Sequence, residues 1–266
     1  MTRMTSPNKR STGDSGVRAP PRAMVLAAGL GKRMRPITHR LPKPLVKVGE
    51  KALLDWTLDR LEEAGVETVV FNLHHLGHLI EQHLGRRRRR PWKGHRPELL
   101  FSSEDELLDT GGGIAKALPL LGTEPFYAVN ADILWLNGTQ GTLARMAAGW
   151  DHRRMDALLL LHSTVDAYGY RGRGDFCVDP AGLLARRAES EVSPFLFTGL
   201  QILHPRLFDG APEGGFSLNL LYDRAIEAER LHGIIHDGEW FNIGTPEGLA
   251  EAESYIRVRY AGNRRR

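Results

Sequence analysis

The chain has 266 residues, 41% of them hydrophobic and 26% charged, with a formal net charge of +4. That composition supports a sizeable buried core, and no apolar stretch approaches the roughly 20 residues of a membrane-spanning helix. A single cysteine, Cys177, excludes an intramolecular disulfide framework and reads as a small core side chain, while residues 1–21, rich in Ser, Thr, Pro, Gly and Arg without an apolar centre, read as the disordered tail of a cytoplasmic protein rather than a secretory signal.

Residues 24–28, MVLAA, are a continuous apolar run of the kind found in a strand buried on both faces of a parallel sheet, and Gly29 and Gly31 end it. A glycine turn at the carboxyl end of such a strand lets backbone N–H groups approach a phosphate closely. Arg33 adds a forked cation and Lys43 a point charge, with Pro36 and Pro42 stiffening the loop between them. A Walker A loop is excluded because Lys32 precedes Arg33 rather than Ser or Thr, and a dinucleotide fingerprint because residue 34 is Met.

Beyond this loop, Leu53, Leu54, Trp56, Leu58 and Leu61 predict a helix ending near Gly65, Thr68–Leu73 a strand, and Leu76, Leu79, Ile80 and Leu84 a second helix. An arginine-rich loop at residues 86–90 follows, then a strand at 99–102. Residues 104–113, EDELLDTGGG, set acids before three glycines that open a short helix at 114–121. A buried strand at 126–129 ends in Asn130 and Asp132, a helix covers 143–150 and a strand 157–161. The second half is less regular, with strands at Phe176–Val178, Phe195–Leu203 and 233–236, a helix at 218–229 and a closing helix at 246–260. Alternation of apolar runs with helical periods predicts a doubly wound α/β fold, a single domain over residues 22–260 followed by a basic tail at 261–266.

Asp132, just past an apolar strand, lies where open α/β sheets place ligands, and its carboxylate suits Mg²⁺, which takes one or two protein oxygens besides water and phosphate. Asn242, between apolar neighbours before a Gly-Thr-Pro helix entry, offers a second oxygen. The three glycines let a nucleobase or ribose lie on bare backbone, and Glu104 is placed to accept the N3–H of a uracil. His74, His75 and His78 include an i, i+4 pair, but the segment straddles a strand end and a helix start with no third ligand, which favours a structural role. The arginine run and Lys93, His95 and Arg96 carry no aromatic series or recognition-helix pattern, so a solvated loop is favoured over nucleic-acid binding.

Gly29, Gly31, Arg33, Met34, Pro36, Thr38 and the Pro42-Lys43-Pro44-Leu45 run, with Asn130-Ala131-Asp132 and Asn242-Ile243-Gly244-Thr245, resemble in order and spacing the nucleoside triphosphate:sugar-1-phosphate nucleotidyltransferases. The resemblance covers roughly residues 22–257 and implies a Rossmann-like α/β/α sandwich with a mixed, mostly parallel central sheet. It implies attack by a sugar 1-phosphate on the α-phosphorus of a nucleoside triphosphate, with Arg33 on the triphosphate and Lys43 on the α-phosphate and incoming phosphate. Ala28, Gly29, Gly31, Glu104 and Gly111 would contact the nucleotide, Asn130, Gly172, Thr198 and Gly199 the sugar, and Asp132 with Asn242 the Mg²⁺ cofactor.

The stretches at 108–122, 172–176 and 197–205 resemble most the members that use UTP and N-acetylmuramate α-1-phosphate in peptidoglycan recycling, for which Arg171 or Arg173 would meet the lactyl carboxylate. Mannose 1-phosphate with GTP, glucose 1-phosphate with UTP or dTTP, and a non-catalytic nucleotide-sugar sensor are the alternatives. Lys32, Ala131 and Asn242 depart from the commonest residues of the family, no Glu-Lys-Pro segment is present, and the sequence gives no sign of the oligomeric state.

Overall fold

A computed structural model of the chain describes residues 19–89, 94 and 96–261. Of the tails expected at 1–21 and 261–266, residues 1–18 and 262–266 lie outside the described residues, as do Arg90, Lys93 and His95, while residue 261 ends the last helix. The predicted first strand is β1, Arg22–Leu26, two residues earlier than its apolar run, so Ala27 and Ala28 belong to the following loop. That loop is pinned by three short 3-10 turns, at Lys32–Met34, Ile37–His39 and Lys43–Leu45. A hairpin of β2, Lys47–Val48, and β3, Lys51–Ala52, leads into α1, Leu53–Glu63. Then come β4, Thr68–Leu73, and α2, Gly77–Arg88.

The middle of the chain supplies β5, Glu98–Ser103, α3, Asp109–Leu121, β6, Phe126–Asn130, β7, Ile133–Trp135, and α4, Thr142–Gly149. The second half contains β8, Ala157–Ser163, β9, Phe176–Val178, β10, Leu184–Arg186, and β11, Phe195–Leu203. It closes with α5, Asn219–Glu227, β12, Leu231–Ile235, β13, Trp240–Asn242, and α6, Pro246–Ala261.

β1 pairs in parallel with β4 on one side and β6 on the other, and β4 pairs in parallel with β5. β11 runs antiparallel between β6 and β8, while β12 pairs in parallel with β8. The sheet is therefore mixed and mostly parallel, as expected for a Rossmann-like α/β/α sandwich. Because the chain leaves β1 for β4 and β5 and returns to its other side with β6, the strand order reverses at β1, the crevice where such sheets bind ligands.

Apolar residues of α1, α2 and α4, such as Leu58, Ile80 and Met146, pack on one face of the sheet, and those of α3 and α5, such as Ile114 and Leu221, on the other. A third cluster joins Met34, Val48, Leu134, Phe241, Ile243 and Ala252, binding β7, β13 and α6 to the loop after β1.

Two expectations are corrected. Residues 86–88 are the last turn of α2 rather than a loop, and Arg87 points inward, 14% exposed, against Asp55, Asp59 and Glu62 of α1. Three carboxylates on the facing helix stabilise that cation better than water would at a half-covered position, and the helix C-terminus favours it further. Cys177 is exposed rather than in the core, because β9 alternates and it is Phe176 that turns inward.

Asp55 and Glu62 are 7% and 5% exposed, so removing Arg87 leaves buried carboxylates without their cation. Arg87→Met is expected to lower stability by about 3 kcal/mol in urea titrations. Burial raises the Asp55 pKa, but the bonds and charges of His83 and Arg87 outweigh it and hold the carboxyl below its ordinary 3.8. The unfolded chain then takes up that proton first, so this stabilisation is full above about pH 4 and is lost as the pH falls through the lower folded value. The acid limb of a stability profile should be shallower in Arg87→Met.

Candidate active site

At the carboxyl end of β1 lies a cleft of about 440 Å³ whose walls include Ala28, Gly29, Gly31, Arg33, Lys43, Asn130 and Asp132. The sheet ladder has run out here: the Ala131 amide donates back to Leu26 O at 3.2 Å, and the Ala27 amide to Asn72 Oδ1 at 2.7 Å. Among the described residues the amides of Ala28, Gly29, Leu30 and Gly31 find no acceptor, and such a row of free donors is what an anion needs. Gly31 sits at φ +59°, and a Cβ there would come within 2.8 Å of Thr38 Cγ2, so this turn admits glycine alone without strain. Thr38, 2% exposed, donates through its hydroxyl to Gly31 O at 2.8 Å.

The 3-10 turn at Lys43 brings its ammonium to Asp132 Oδ2 at 2.7 Å, with the lysine side chain 11% and the aspartate 31% exposed. The pair thus stands at the cleft wall with the carboxylate still open to solvent. Asn242 of β13 pairs in register with Ile133, and the next amide, Ile243, donates to Asp132 O at 3.0 Å. The Asn242 side chain donates through Nδ2 to Gly169 O at 3.3 Å, which leaves Oδ1 directed toward Gly244. The Arg33 guanidinium reaches the same turn, 3.4 Å from where a Cβ of Gly244 would lie. The cations of Arg33 and Lys43 and the side-chain oxygens of Asp132 and Asn242 therefore gather at one edge of the sheet.

Other predicted site residues take different places. Glu104 is 5% exposed, and both of its carboxylate oxygens are engaged: Oε1 accepts from Asn72 Nδ2 at 2.7 Å and Oε2 from the Leu108 amide at 3.1 Å. It is not among the residues that line the cleft, where Asn72 stands in front of it. Gly111, Gly112 and Gly113 are helical, in the first turns of α3, and do not bare their backbone to the cleft. The Gly111 and Gly112 amides donate to Phe216 O at 2.9 and 3.1 Å, and a Cβ on either would collide with Phe216 or with Gly214 O. The glycines thus make room for a crossing strap, residues 214–218, which Thr110 Oγ1 also holds through the Leu218 amide at 3.0 Å.

Thr198 is 1% exposed, its hydroxyl donating to Leu160 O at 2.8 Å within the irregularity of β11, and Gly199 packs against the Asn130 side chain. Gly172 is exposed beside Tyr170, and Arg171 is 87% exposed near Glu251, so neither is part of the cleft wall. His74 and His75 face the carbonyl oxygens of Glu104 and Thr38, and no group of three or more His, Cys, Asp or Glu gathers among the described residues.

Sequence reasoning passed over Asn72 and Phe216. A polar residue at the end of the otherwise apolar run TVVF was a usable signal for the first; nothing local marks the second.

With this geometry in place, the comparisons with known proteins become informative. The Nucleotidyl transferase family profile matches residues 22–171, and the chain belongs to that family. It is 41% identical to the N-acetylmuramate alpha-1-phosphate uridylyltransferase of Caulobacter vibrioides, over 90% of this chain and 98% of that protein. It is 36% identical to the enzyme of the same name from Neisseria meningitidis, over 88% of this chain and 97% of that one. The fold is similar to that of UDP-glucose pyrophosphorylase complexed with UDP-glucose, with a TM-score of 0.72 at 18% identity over 90% of this chain and 98% of the other.

Adding a methyl group at Gly112 should displace the strap at residues 214–216. Gly→Ala within a helix ordinarily stabilises, whereas Gly112→Ala is expected to destabilise by about 2 kcal/mol because backbone cannot give way as a side chain can. Thermal and urea unfolding of the variant read the sign directly.

Proposed function

We propose that this protein is a uridylyltransferase that joins UTP to N-acetylmuramate α-1-phosphate and releases pyrophosphate, the step that returns a peptidoglycan-derived sugar to nucleotide-activated form in the cytoplasm. The observation that carries the reading is the Lys43–Asp132 pair on a cleft of free amides at the strand-order reversal of the sheet, in a chain 41% identical over nearly its whole length to a relative of that activity. Residues 22–260 would act as the catalytic unit.

Both reactants are polyanions, so acceleration rests on neutralising charge and holding the nucleophile in line. The amides of residues 28–31 and Arg33 would bind the triphosphate. Lys43 would bridge the α-phosphate and the incoming sugar phosphate. A sugar phosphate oxygen forms the new bond to the α-phosphorus as the bond to the pyrophosphate oxygen breaks; the nucleophile is already ionised near neutral pH, so no general base is needed. Asn130, with Gly199 packed against it, would face the sugar.

The donor set fits Mg²⁺: one carboxylate, Asp132, one amide oxygen without a protein donor, Asn242 Oδ1, and room for substrate oxygens in the cleft. Bound there, the ion would neutralise phosphate charge. Lys43 donates to Asp132 Oδ2 at 2.7 Å, which holds that carboxylate at the cleft wall.

Pyrophosphate release from UTP, dTTP and GTP against N-acetylmuramate-, N-acetylglucosamine-, glucose- and mannose-1-phosphate tests the assignment. Turnover should be confined to UTP with the muramyl substrate and abolished by EDTA; turnover with another pair would replace the substrate assignment, and none at all would favour a nucleotide-sugar sensor. Lys43→Ala should lower kcat/KM by about 10²–10³-fold, as for loss of one preorganised charge-stabilising group, with the unfolding midpoint little changed.

A further inference from the structure

Asn72 takes no part in the proposed reaction, yet its side chain is hydrogen-bonded to both loops of the cleft. It ends β4, is 3% exposed, and forms part of the cleft wall. Its Oδ1 accepts from the Ala27 amide at 2.7 Å and its Nδ2 donates to Glu104 Oε1 at 2.7 Å, while Glu104 Oε2 accepts from Leu108 N at 3.1 Å. The carboxylate on one side and the amide donor on the other fix which end of the carboxamide is which.

We propose that Asn72 is a positioning residue that ties the loop after β1 to the loop after β5 through Glu104, and so sets the direction of the free amides that begin at Ala28. The Ala27 donor is the last one spent on protein; where it points determines where the following four can point. Anchoring the Leu108 amide to the same carboxylate holds the 104–108 loop at a fixed distance from the first, so the two walls of the cleft move as one.

A second observation supports the same arrangement. A Cβ on Gly113 of α3 would come within 2.8 Å of Glu104 Oε1 and 2.9 Å of Asn72 Nδ2, so the glycine that costs α3 helix propensity is the space in which the pair meets. Three elements, β4, β5 and α3, thus converge on one buried amide–carboxylate contact. The inference rests on the proposed function only for which part of the substrate each loop faces.

The polarity of the contact can be reversed. In Asn72→Asp the introduced carboxylate still accepts from Ala27 but faces Glu104 as a second anion, and two carboxylates at that distance cannot both stay ionised. In the double variant Asn72→Asp/Glu104→Gln the introduced amide donates back to the introduced carboxylate and its oxygen still accepts from Leu108, so every bond is restored with donor and acceptor exchanged.

Hydrogen exchange of the ligand-free protein reads this without any substrate. Asn72→Asp should speed exchange of peptides covering residues 27–33 and 104–108 by about tenfold or more, with peptides of β6 and β11 unchanged, and the double variant should return both loops to within about threefold of wild type. Gly113→Ala should reproduce the Asn72→Asp pattern. kcat/KM for the nucleotide on which the wild type turns over should fall and recover in step. Wild-type-like exchange in Asn72→Asp, faster exchange spread over the whole sheet, or a double variant no better than the worse single would each overturn the proposal. A wild type inactive with UTP but showing the exchange pattern would leave this inference standing and refute only the functional assignment.

Discussion

The constraint on which the rest of the structure depends is the saturation of β1. Parallel partners on both sides consume its backbone groups along its whole length, and then stop together at Leu26. Buried donors need acceptors, and for two residues the protein supplies them, Asn72 for Ala27 and Leu26 for Ala131. Beyond that point the chain turns through a glycine-rich bend whose amides find no acceptor among the described residues, and Ala28, Gly29 and Gly31 of it line the cleft. The row of free donors beside Arg33 and Lys43 is therefore a consequence of where the ladder ends, and it is on this row that the proposed triphosphate site rests.

The second half of the chain reaches this edge by a different route. β11 enters antiparallel between β6 and β8, and the irregularity at Thr198 and Gly199 lets it bend beside Asn130. The Trp240 indole donates to Thr198 O at 2.9 Å, so β13 is fastened to that irregularity, and β13 in turn pairs with β7, the strand that starts one residue after Asp132. Through these contacts Asp132 and Asn242, 110 positions apart in sequence, share a two-stranded ribbon. A cluster of Met34, Leu134, Phe241 and Ile243 ties the loop after β1 to the same ribbon.

Much of this was legible in the chain. Thr68–Leu73, Phe176–Val178 and Phe195–Leu203 form strands with the bounds their apolar runs predict, because a buried strand needs little beyond continuous apolar residues and flanking turns. The tight turns of the loop after β1 were legible because its glycines and prolines act locally. What was not legible is whatever depends on a distant partner. The arginine run looks solvated until α1 places three carboxylates opposite Arg87. The three glycines look like a surface for a ligand until Phe216, some hundred residues later, occupies the space beside them. Glu104 looks like a free surface acid until Asn72 and the Leu108 amide engage its two oxygens.

The glycines of α3 also make its first turns depend on both halves of the chain. This helix carries three glycines in its first turns and Pro119 near its end, a composition about 6 kcal/mol less favourable than alanine at the same positions. An isolated segment of that kind does not hold helical structure. The Gly111 and Gly112 amides are satisfied by Phe216 and the glycine faces are filled by the strap and the Asn72–Glu104 pair, so the first turns of α3 are completed only where residues 214–218, encoded far downstream, lie against them, while its apolar face packs on the sheet. The cleft wall at Asp109 and Thr110 thus needs a segment from the second half of the chain as well as the sheet of the first.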